Sequence, residues 1–496
     1  MKNKLLLIWI FLCQISFGQT PKSYTEPYRP QFHFTPPAKW MNDPNGLVYL
    51  NGKYHLFYQY YPEDIVWGPM HWGHAESTDL LHWKHLPVAL YPDKLGWIFS
   101  GSAVIDKNNT AGFGKNAMIA IYTYHNDEIW KAGKKNTESQ AIAYSTDEGK
   151  TWTKYKDNPV LNNSGEQDFR DPKVFWHEET SKWIMTLAVG DKIKLFSSPN
   201  LKEWQEESTF KPKDDDSNLG VWECPDLFPI KIKSNGETYW VMIVNHGDKA
   251  PNGGSGTRYF IGDFDGKKFT EIQKALWLDY GTDYYATVTF SNVPNDKKIV
   301  LGWMSNWQYA TKVPTEVWRS AMTLPRELNL IKQKEGYRLT QNMIPQFDAL
   351  TKSVFEQEKV VTPFEKTEID LSQAEVNFTM EGGTDVIISL SNINGELFTI
   401  AIAGDIVVTD RSNSGKSDFH ETFTAKPQVM PLGEDKINEV QLILDKSSIE
   451  ILLNGGKYSM TNLFFPTEQF SILKIISKDD KPLQNLKIKS VARTWD

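Results

Sequence analysis

The chain of 496 residues is poor in cysteine and has no excess of basic side chains. Cys13 and Cys224 are its only cysteines, so Cys224 has no intrachain partner once a segment that contains Cys13 is removed. A formal net charge of -8 provides no basic footprint for a nucleic acid. Beyond the first residues no apolar run is long enough to span a bilayer. We therefore expect a fold stabilised by hydrophobic cores, with no nucleic-acid partner and no membrane span.

The N-terminus has the pattern of a secretory signal. Lysines precede the apolar run Leu5–Leu12, and small residues follow it. This pattern predicts a signal peptide over residues 1–18 and a secreted or periplasmic protein. Cys13 also suggests a lipid anchor, but the bulky Leu12 before it favours simple cleavage.

A repeat of roughly 50–70 residues covers the first two-thirds of the chain. Each copy contains two apolar strands around a polar turn, the pattern of a β-hairpin. In four copies a turn rich in Asp, Asn or Gly and an aromatic residue follow. The hairpins begin near Asp43, Ser100, Asp171, Glu223 and Asp283. Five such units predict a five-bladed β-propeller over residues 28–335.

The composition changes near residue 330. Of the 18 tryptophans only Trp495 lies beyond Trp318, and strand-length apolar segments alternate with Gly, Asn and Asp turns. This pattern predicts a β-sandwich over residues 355–496. We interpret residues 336–354 as a linker with a short helix. A propeller followed by a sandwich makes the chain all-β in class.

Three acidic residues occupy matching places in the repeats. Asp43-Pro44, Asp171-Pro172 and Glu223-Cys224-Pro225 each open an apolar run, in the first, third and fourth copies. Because the inner strands of a propeller surround one axis, we expect these carboxylates to converge. A turn cap or an ion pair would explain each acid singly, but not their equal placement. Converging acids are what glycoside hydrolysis requires.

The segment WMNDPNG, residues 40–46, resembles the nucleophile motif of glycoside hydrolase family 32, which includes invertases, inulinases and levanases. Further blocks resemble the family in the same order, as does the C-terminal LDKSSIEILLNGG. These blocks are the strand around Gln59, Phe99–Ser102, Arg170–Pro172, Trp222–Asp226 and Gly302–Met304. The resemblance spans essentially the mature chain and implies a propeller followed by a sandwich.

The resemblance also implies roles for individual residues. Asp43 would be the nucleophile and Glu223 the general acid/base of a retaining reaction, while Asp171 would hold fructose hydroxyls and stabilise the transition state. The implied substrate-binding residues are Asn42, Gln59, Trp67, Phe99, Ser100, Arg170 and Trp303. No cofactor and no metal site are predicted. Asp283 would lie either at the pocket rim or in a turn.

We therefore predict a retaining β-fructosidase that removes terminal fructose from levan or inulin and hydrolyses sucrose. The nearest alternative is an endo-acting levanase with the same acids, and transfer of fructose to another sugar also stays open. An inverting propeller of the arabinanase type would need more widely separated acids. A non-catalytic sugar-binding propeller would not need a protonatable Glu223 beside a nucleophile. The sequence leaves the oligomeric state open.

Overall fold

Five antiparallel sheets, formed by consecutive segments of the chain, surround one axis. The computed structural model of the protein describes residues 24–212 and 219–495, so the predicted signal peptide, residues 1–18, lies outside the described residues. The first sheet contains β1 (Lys39–Leu50), β2 (Lys53–Tyr61), β3 (His71–Ser77) and β4 (Lys84–Leu90). The second contains β5 (Trp97–Asp106), β6 (Ala117–His125), β7 (Glu138–Ser145) and β8 (Thr153–Lys154), with helix α1 (Asp127–Lys131) between β6 and β7.

The next three sheets follow the same plan. The third contains β9 (Phe169–His177), β10 (Lys182–Val189), β11 (Lys192–Ser198) and β12 (Gln205–Phe210). The fourth contains β13 (Trp222–Lys231), β14 (Thr238–His246), β15 (Gly256–Phe264), β16 (Phe269–Glu271) and β17 (Leu276–Trp277). The remaining propeller strands are β18 (Tyr285–Thr289), β19 (Lys298–Met304), β20 (Trp318–Arg319), β21 (Ala321–Met322), β22 (Arg326–Gln333) and β23 (Gly336–Met343). All of these except β20 form the fifth sheet, while β20 pairs in parallel with β1 and joins the first.

The innermost strands close a ring. Strands β1, β5, β9, β13 and β18 each contact the next, and β18 contacts β1 again. Because each sheet packs between two neighbours, central strands such as β6 are buried along their whole length, whereas the outer strand β12 is largely exposed. The predicted five-bladed propeller is confirmed.

The C-terminal part is a sandwich of two six-stranded antiparallel sheets, as predicted. Its strands are β24 (Thr351–Val360), β25 (Phe364–Lys366), β26 (Ala374–Thr379), β27 (Val386–Ser391), β28 (Leu397–Ala403), β29 (Ile406–Asn413), β30 (Gln428–Pro431), β31 (Glu439–Asp445), β32 (Ser448–Leu453), β33 (Tyr458–Leu463), β34 (Ile472–Ser477) and β35 (Leu483–Val491). The two sheets run in the orders β24-β35-β26-β31-β32-β33 and β25-β34-β27-β28-β29-β30. Alternate side chains of both sheets, such as Phe378 and Phe398, form one hydrophobic core between them.

The segment predicted as a linker, residues 336–354, is mostly strand. β23 pairs with β22 along its full length and is the outer strand of the fifth blade. Only the short 3₁₀ helix Pro345–Leu350 separates it from β24 in the sandwich. The fifth repeat lacks the turn-and-aromatic element of the others, and β22 and β23 supply its outer strands instead. Within the described residues, no helix has both the length and the apolar character needed to cross a membrane.

Buried ion pairs join the propeller to the sandwich. Arg326 of β22 donates from Nε to Glu450 of β32 at 2.9 Å and from Nη1 to Asp279 at 3.3 Å. His33, ahead of the first blade, bonds Asp445 Oδ2 at 2.8 Å and Glu450 Oε1 at 2.9 Å. All these side chains are inaccessible to water. Burial opposes a charge on His33, but its two carboxylate partners raise the pKa of the imidazole to about 9.

The contacts of His33 with Asp445 and Glu450 predict that the folded protein loses stability at alkaline pH. A raised His33 pKa contributes stability that is complete below the ordinary histidine pKa of about 6.5 and is lost as the pH rises through about 9. The variant His33→Gln should be less stable at pH 7 by about 3 to 5 kcal/mol, because it leaves the buried Asp445 without a positive partner and Glu450 with Arg326 alone. Its Tm should also change less between pH 7 and pH 10. Thermal unfolding across that range tests both expectations, with His82→Gln as the control, since exposed His82 also pairs with an aspartate. Equal pH dependence of His33→Gln and wild type would contradict the role of His33.

Candidate active site

Every inner strand of the propeller carries a β-bulge at the same level. Met41 of β1 pairs with Tyr60, but Pro44 pairs with Tyr58, so β1 has one extra residue there. The matching irregularities lie between Ile98 and Gly101, Arg170 and Lys173, Glu223 and Asp226, and Tyr285 and Val288. A bulge releases a residue from the ladder and redirects its side chain. Proline, which has no N–H to donate to the ladder, follows the acidic residue or its neighbour in three of the bulges.

The bulges explain the placement of the three acids. They do not open their strands, as the sequence suggested, but lie inside β1, β9 and β13 at the irregular pairs. Asp171 has a φ of 64° and Cys224 a φ of 43°, the left-handed region that few non-glycine residues adopt. Such strained positions cluster at functional sites.

Two of the three carboxylates meet at one thiol. The Cys224 sulphur lies 3.5 Å from Asp43 Oδ2 and 3.7 Å from Asp171 Oδ2. Glu223, the residue before Cys224, is near enough for its charge to raise the pKa of both aspartates. The backbone N–H of Cys224 also donates to Asp171 Oδ2 at 3.0 Å. The structure thus brings Asp43, Asp171 and Glu223 together, as their equal places in the repeat predicted.

Asp43 is held by two neutral donors. Ser100 Oγ donates to its Oδ2 at 2.8 Å, and Asn42 Nδ2 to its Oδ1 at 3.0 Å. Asn42 is fixed in turn by a hydrogen bond from the Trp40 indole at 2.8 Å. Burial and the negative charge of Glu223 raise the pKa of Asp43, while the hydrogen bonds from Ser100 and Asn42 favour its ionised form.

Glu223 has charged and neutral partners. Arg170 donates to its Oε1 from Nε at 3.1 Å and from Nη2 at 2.9 Å. The Tyr285 hydroxyl donates to Oε2. The remaining donor of Arg170, Nη1, binds Asp168 at 2.7 Å and Glu138 at 3.2 Å. Arg170 is therefore oriented from one side by two acids and presents a fixed fork to Glu223 on the other.

Asp171 has the most perturbed environment of the three. Burial raises the pKa of Asp171; Arg170 lowers it, and the charges of Glu223 and Asp43 raise it further, so the net shift is upward. Because the three acids interact, the proton that is retained belongs to the cluster as a whole.

The raised pKa of Asp171 predicts that removing its charge stabilises the folded protein. A raised carboxyl pKa contributes stability below the ordinary aspartate value of about 3.9, which is lost as the pH rises through the folded-state value. Asp171→Asn should therefore have a higher Tm than wild type at neutral and alkaline pH, and the advantage should shrink towards pH 4. Thermal unfolding of both proteins from pH 4 to pH 9 tests this. An advantage that grows towards acid pH would contradict the assigned repulsion.

The acids lie at the floor of a cavity of about 480 Å³. Nine of the ten residues predicted for the site line it: Asn42, Asp43, Gln59, Trp67, Phe99, Ser100, Arg170, Asp171 and Glu223. Gln59 is buried, and its Nε2 has no hydrogen-bond partner among the described residues. An unpaired buried amide is costly, so this donor is available for a ligand. Residues that sequence reasoning missed on the walls include His125, Trp130, Glu138, Asp168 and Trp307.

Trp303 differs from its predicted place. It is 0% exposed and packs beneath the cavity against Trp40 and Trp307, with ring centroids 6.3 and 4.8 Å away. Trp307, four residues later, lines the cavity instead. The side chain of Trp303 points inward from β19 and fills the propeller core. Trp307 lies in the loop after that strand.

Asp283 and Tyr285, near the start of the fifth inner strand, contact different parts of the molecule. Asp283 is fully buried and accepts from Arg411 and Tyr309, each at 2.6 Å, so it belongs to the sandwich contact and not to the pocket rim. Tyr285, two residues on, reaches Glu223. Its only sequence signal was its place at the start of the fifth inner strand.

Comparisons with known proteins find one family along most of the chain. The profile of the glycosyl hydrolases family 32 N-terminal domain matches residues 33–342, and that of the family's C-terminal domain matches residues 347–490. The chain is 43% identical to a levanase of Bacillus subtilis, covering 95% of this chain and 72% of that protein. It is 36% identical to an extracellular exo-inulinase of Aspergillus niger, covering 99% of both. The crystal structure of an exo-inulinase from Aspergillus awamori superposes with a TM-score of 0.85 at 34% identity, covering 95% of this chain and all of that one. The chain therefore belongs to glycosyl hydrolase family 32.

Proposed function

We propose that this protein is a retaining β-fructosidase that releases terminal fructose from fructans such as levan and inulin and also hydrolyses sucrose. The observation that carries the proposal is the convergence of Asp43, Asp171 and Glu223 at one cavity, where Asp43 and Asp171 both approach the Cys224 thiol. The relatives named levanase and exo-inulinase support the substrate class. The extracellular exo-inulinase among them supports a secreted protein, as expected from the predicted signal peptide.

In the first chemical step Asp43 attacks the anomeric carbon of fructose while Glu223 protonates the departing oxygen. Two carboxyl groups with these roles are the usual means of retaining hydrolysis. The hydrogen bonds from Ser100 and Asn42 favour the ionised form of Asp43 that the attack requires. Repulsion among the three acids, of which Asp43 and Asp171 are buried, keeps one proton in the cluster, and the mechanism requires that proton on Glu223 when substrate is bound.

In the second step Glu223 takes a proton from water, which attacks the fructosyl–Asp43 ester. Arg170 and Tyr285 suit the ionised Glu223 that the first step leaves, because both donate to its oxygens. Asp171 faces the same centre and would accept from fructose hydroxyls while its charge stabilises the oxocarbenium-like transition state.

The remaining wall residues fit a polyol. Gln59 offers an unpaired donor, and Asn42 and Ser100 offer polar atoms close to the nucleophile. Trp67 and Phe99 lie with ring centroids 6.0 Å apart and would cover the apolar face of the sugar.

Sizing the products formed from levan and from inulin tests the function. Free fructose alone at low conversion is the result expected of exo action, while a ladder of oligomers would make the enzyme endo-acting. Methanol added to the reaction should yield methyl β-fructofuranoside, because a retaining enzyme passes its intermediate to an alcohol with the same configuration. No hydrolysis of levan, inulin or sucrose would overturn the proposal.

A further inference from the structure

A row of aromatic rings leads from the acids to the outside of the propeller. Phe99 precedes Ser100, the donor to Asp43. His125 stacks on Phe99 with ring centroids 4.3 Å apart and planes inclined by 9°. Trp130 lies 6.3 Å from His125, at the far end of the row. Trp97 lies beside this row, with its ring centroid 5.6 Å from that of His125 and 5.3 Å from that of Trp67.

Trp130 lines the same cavity and is the most exposed of these rings. Its side chain is 58% exposed, whereas His125 is 5% exposed. A large aromatic ring that is held in place but left open to solvent is a common feature of a binding surface. Lys134 and Lys135 line the cavity beside it and supply donors for hydroxyl groups.

The loop that carries Trp130 is internally fixed. Asn126 caps α1 by accepting from the N–H of Ile129 at 3.0 Å, and its own N–H donates to the carbonyl of Thr137 at 2.9 Å. The N–H of Lys134 donates back to the carbonyl of Ile129 at 3.3 Å. These bonds hold Trp130 at the mouth before any ligand arrives, which lowers the entropic cost of binding.

We propose that Trp130 binds the second sugar unit on the leaving side of the scissile bond, so that this enzyme prefers fructose chains of three or more units. The inference rests on the proposed function. Phe99 and Trp67 line the same cavity as the acids and would contact the fructose that is cleaved. Trp130 is two ring contacts further out than Phe99, with His125 between them, so the first leaving-side unit would lie beside His125 and the second beside Trp130.

The variant Trp130→Ala tests this role on fructose oligomers of matched linkage. Its KM for the trisaccharides inulotriose and levantriose should rise roughly fivefold to tenfold, the loss expected for one stacking contact. Its kcat for the trisaccharides, and both constants for inulobiose and levanbiose, should stay at the wild-type values. Trp130→Phe, which keeps a ring, should restore most of the affinity. Tyr91→Ala is the matched control, because Tyr91 is a similarly exposed aromatic on the first blade and packs against His71 rather than the cavity.

The outcomes separate this inference from the function on which it rests. Equal losses on disaccharides and trisaccharides would place Trp130 at the first leaving-side unit and overturn the inference. Wild-type constants on every oligomer would remove Trp130 from binding altogether. In both cases hydrolysis by the wild-type enzyme would leave the proposed function standing, whereas a wild-type enzyme inactive on all four oligomers would refute both.

Discussion

Replacing Asp43 with alanine should lower kcat on sucrose and levan by roughly 10⁴-fold or more, since the covalent step loses its nucleophile. The fold should not suffer. Asp43 is buried next to the charge of Glu223, and its raised pKa means that its own charge is disfavoured in the folded state. The Tm of Asp43→Ala at neutral pH should therefore equal or exceed that of wild type. Initial rates and thermal unfolding of the same preparations provide both measurements.

The matched control for this variant is Asp147→Ala. The Asp147 carboxylate also accepts from a serine hydroxyl, Ser145 Oγ at 2.7 Å, but it lies in the turn between β7 and β8, outside the cavity. Asp147→Ala should keep wild-type kcat. Full activity of Asp43→Ala on sucrose and levan would refute its assignment as nucleophile.

The sequence could predict the blades and the acids because both depend on local patterns. Five apolar hairpins with turn residues between them specify the inner strands, which close a ring because each contacts the next along the chain. An acid beside a proline, repeated at matching places, marks the bulge that directs Asp43 and Asp171 inward. The proline cannot continue the ladder. The Asp-Pro pair therefore determines both the irregular backbone and the orientation of the aspartate side chain.

Contacts between distant segments could not be predicted in this way. Trp303 and Trp307 lie four residues apart in one aromatic segment, and only the end of β19 decides which ring faces the cavity. In the sequence Asp283 stands near the start of its hairpin as Asp43, Asp171 and Glu223 do in theirs. It lies ahead of β18, however, and Arg411 of the sandwich, 128 residues away, binds it instead. Trp130 reaches the cavity from α1 of the second blade, whereas the three acids that line it belong to the first, third and fourth blades.

The variant Glu223→Ala should fail on natural substrates and recover on activated ones. Its kcat on sucrose should fall by roughly 10²- to 10⁴-fold, the usual contribution of general acid–base catalysis. With an aryl fructoside, whose leaving group departs without a proton, formation of the intermediate should stay close to the wild-type rate. The fructosyl–Asp43 ester should then accumulate, because the base that activates water is also missing. Mass spectrometry of the quenched protein should detect it, and added azide, which needs no base, should restore turnover.

Asp171 is the rival proton donor, because burial and the charges of Glu223 and Asp43 raise its pKa as well. The same substrates distinguish the two acids. If Glu223 is the donor, only Glu223→Ala gains on the aryl fructoside, while Asp43→Ala and Asp171→Ala stay inactive on every substrate, since neither nucleophile nor hydroxyl contacts can be replaced by a better leaving group. If Asp171→Ala recovers and Glu223→Ala does not, the proton belongs to Asp171. In that case Arg170 and Tyr285 would hold Glu223 as a permanent carboxylate, for which their three hydrogen bonds are equally well placed.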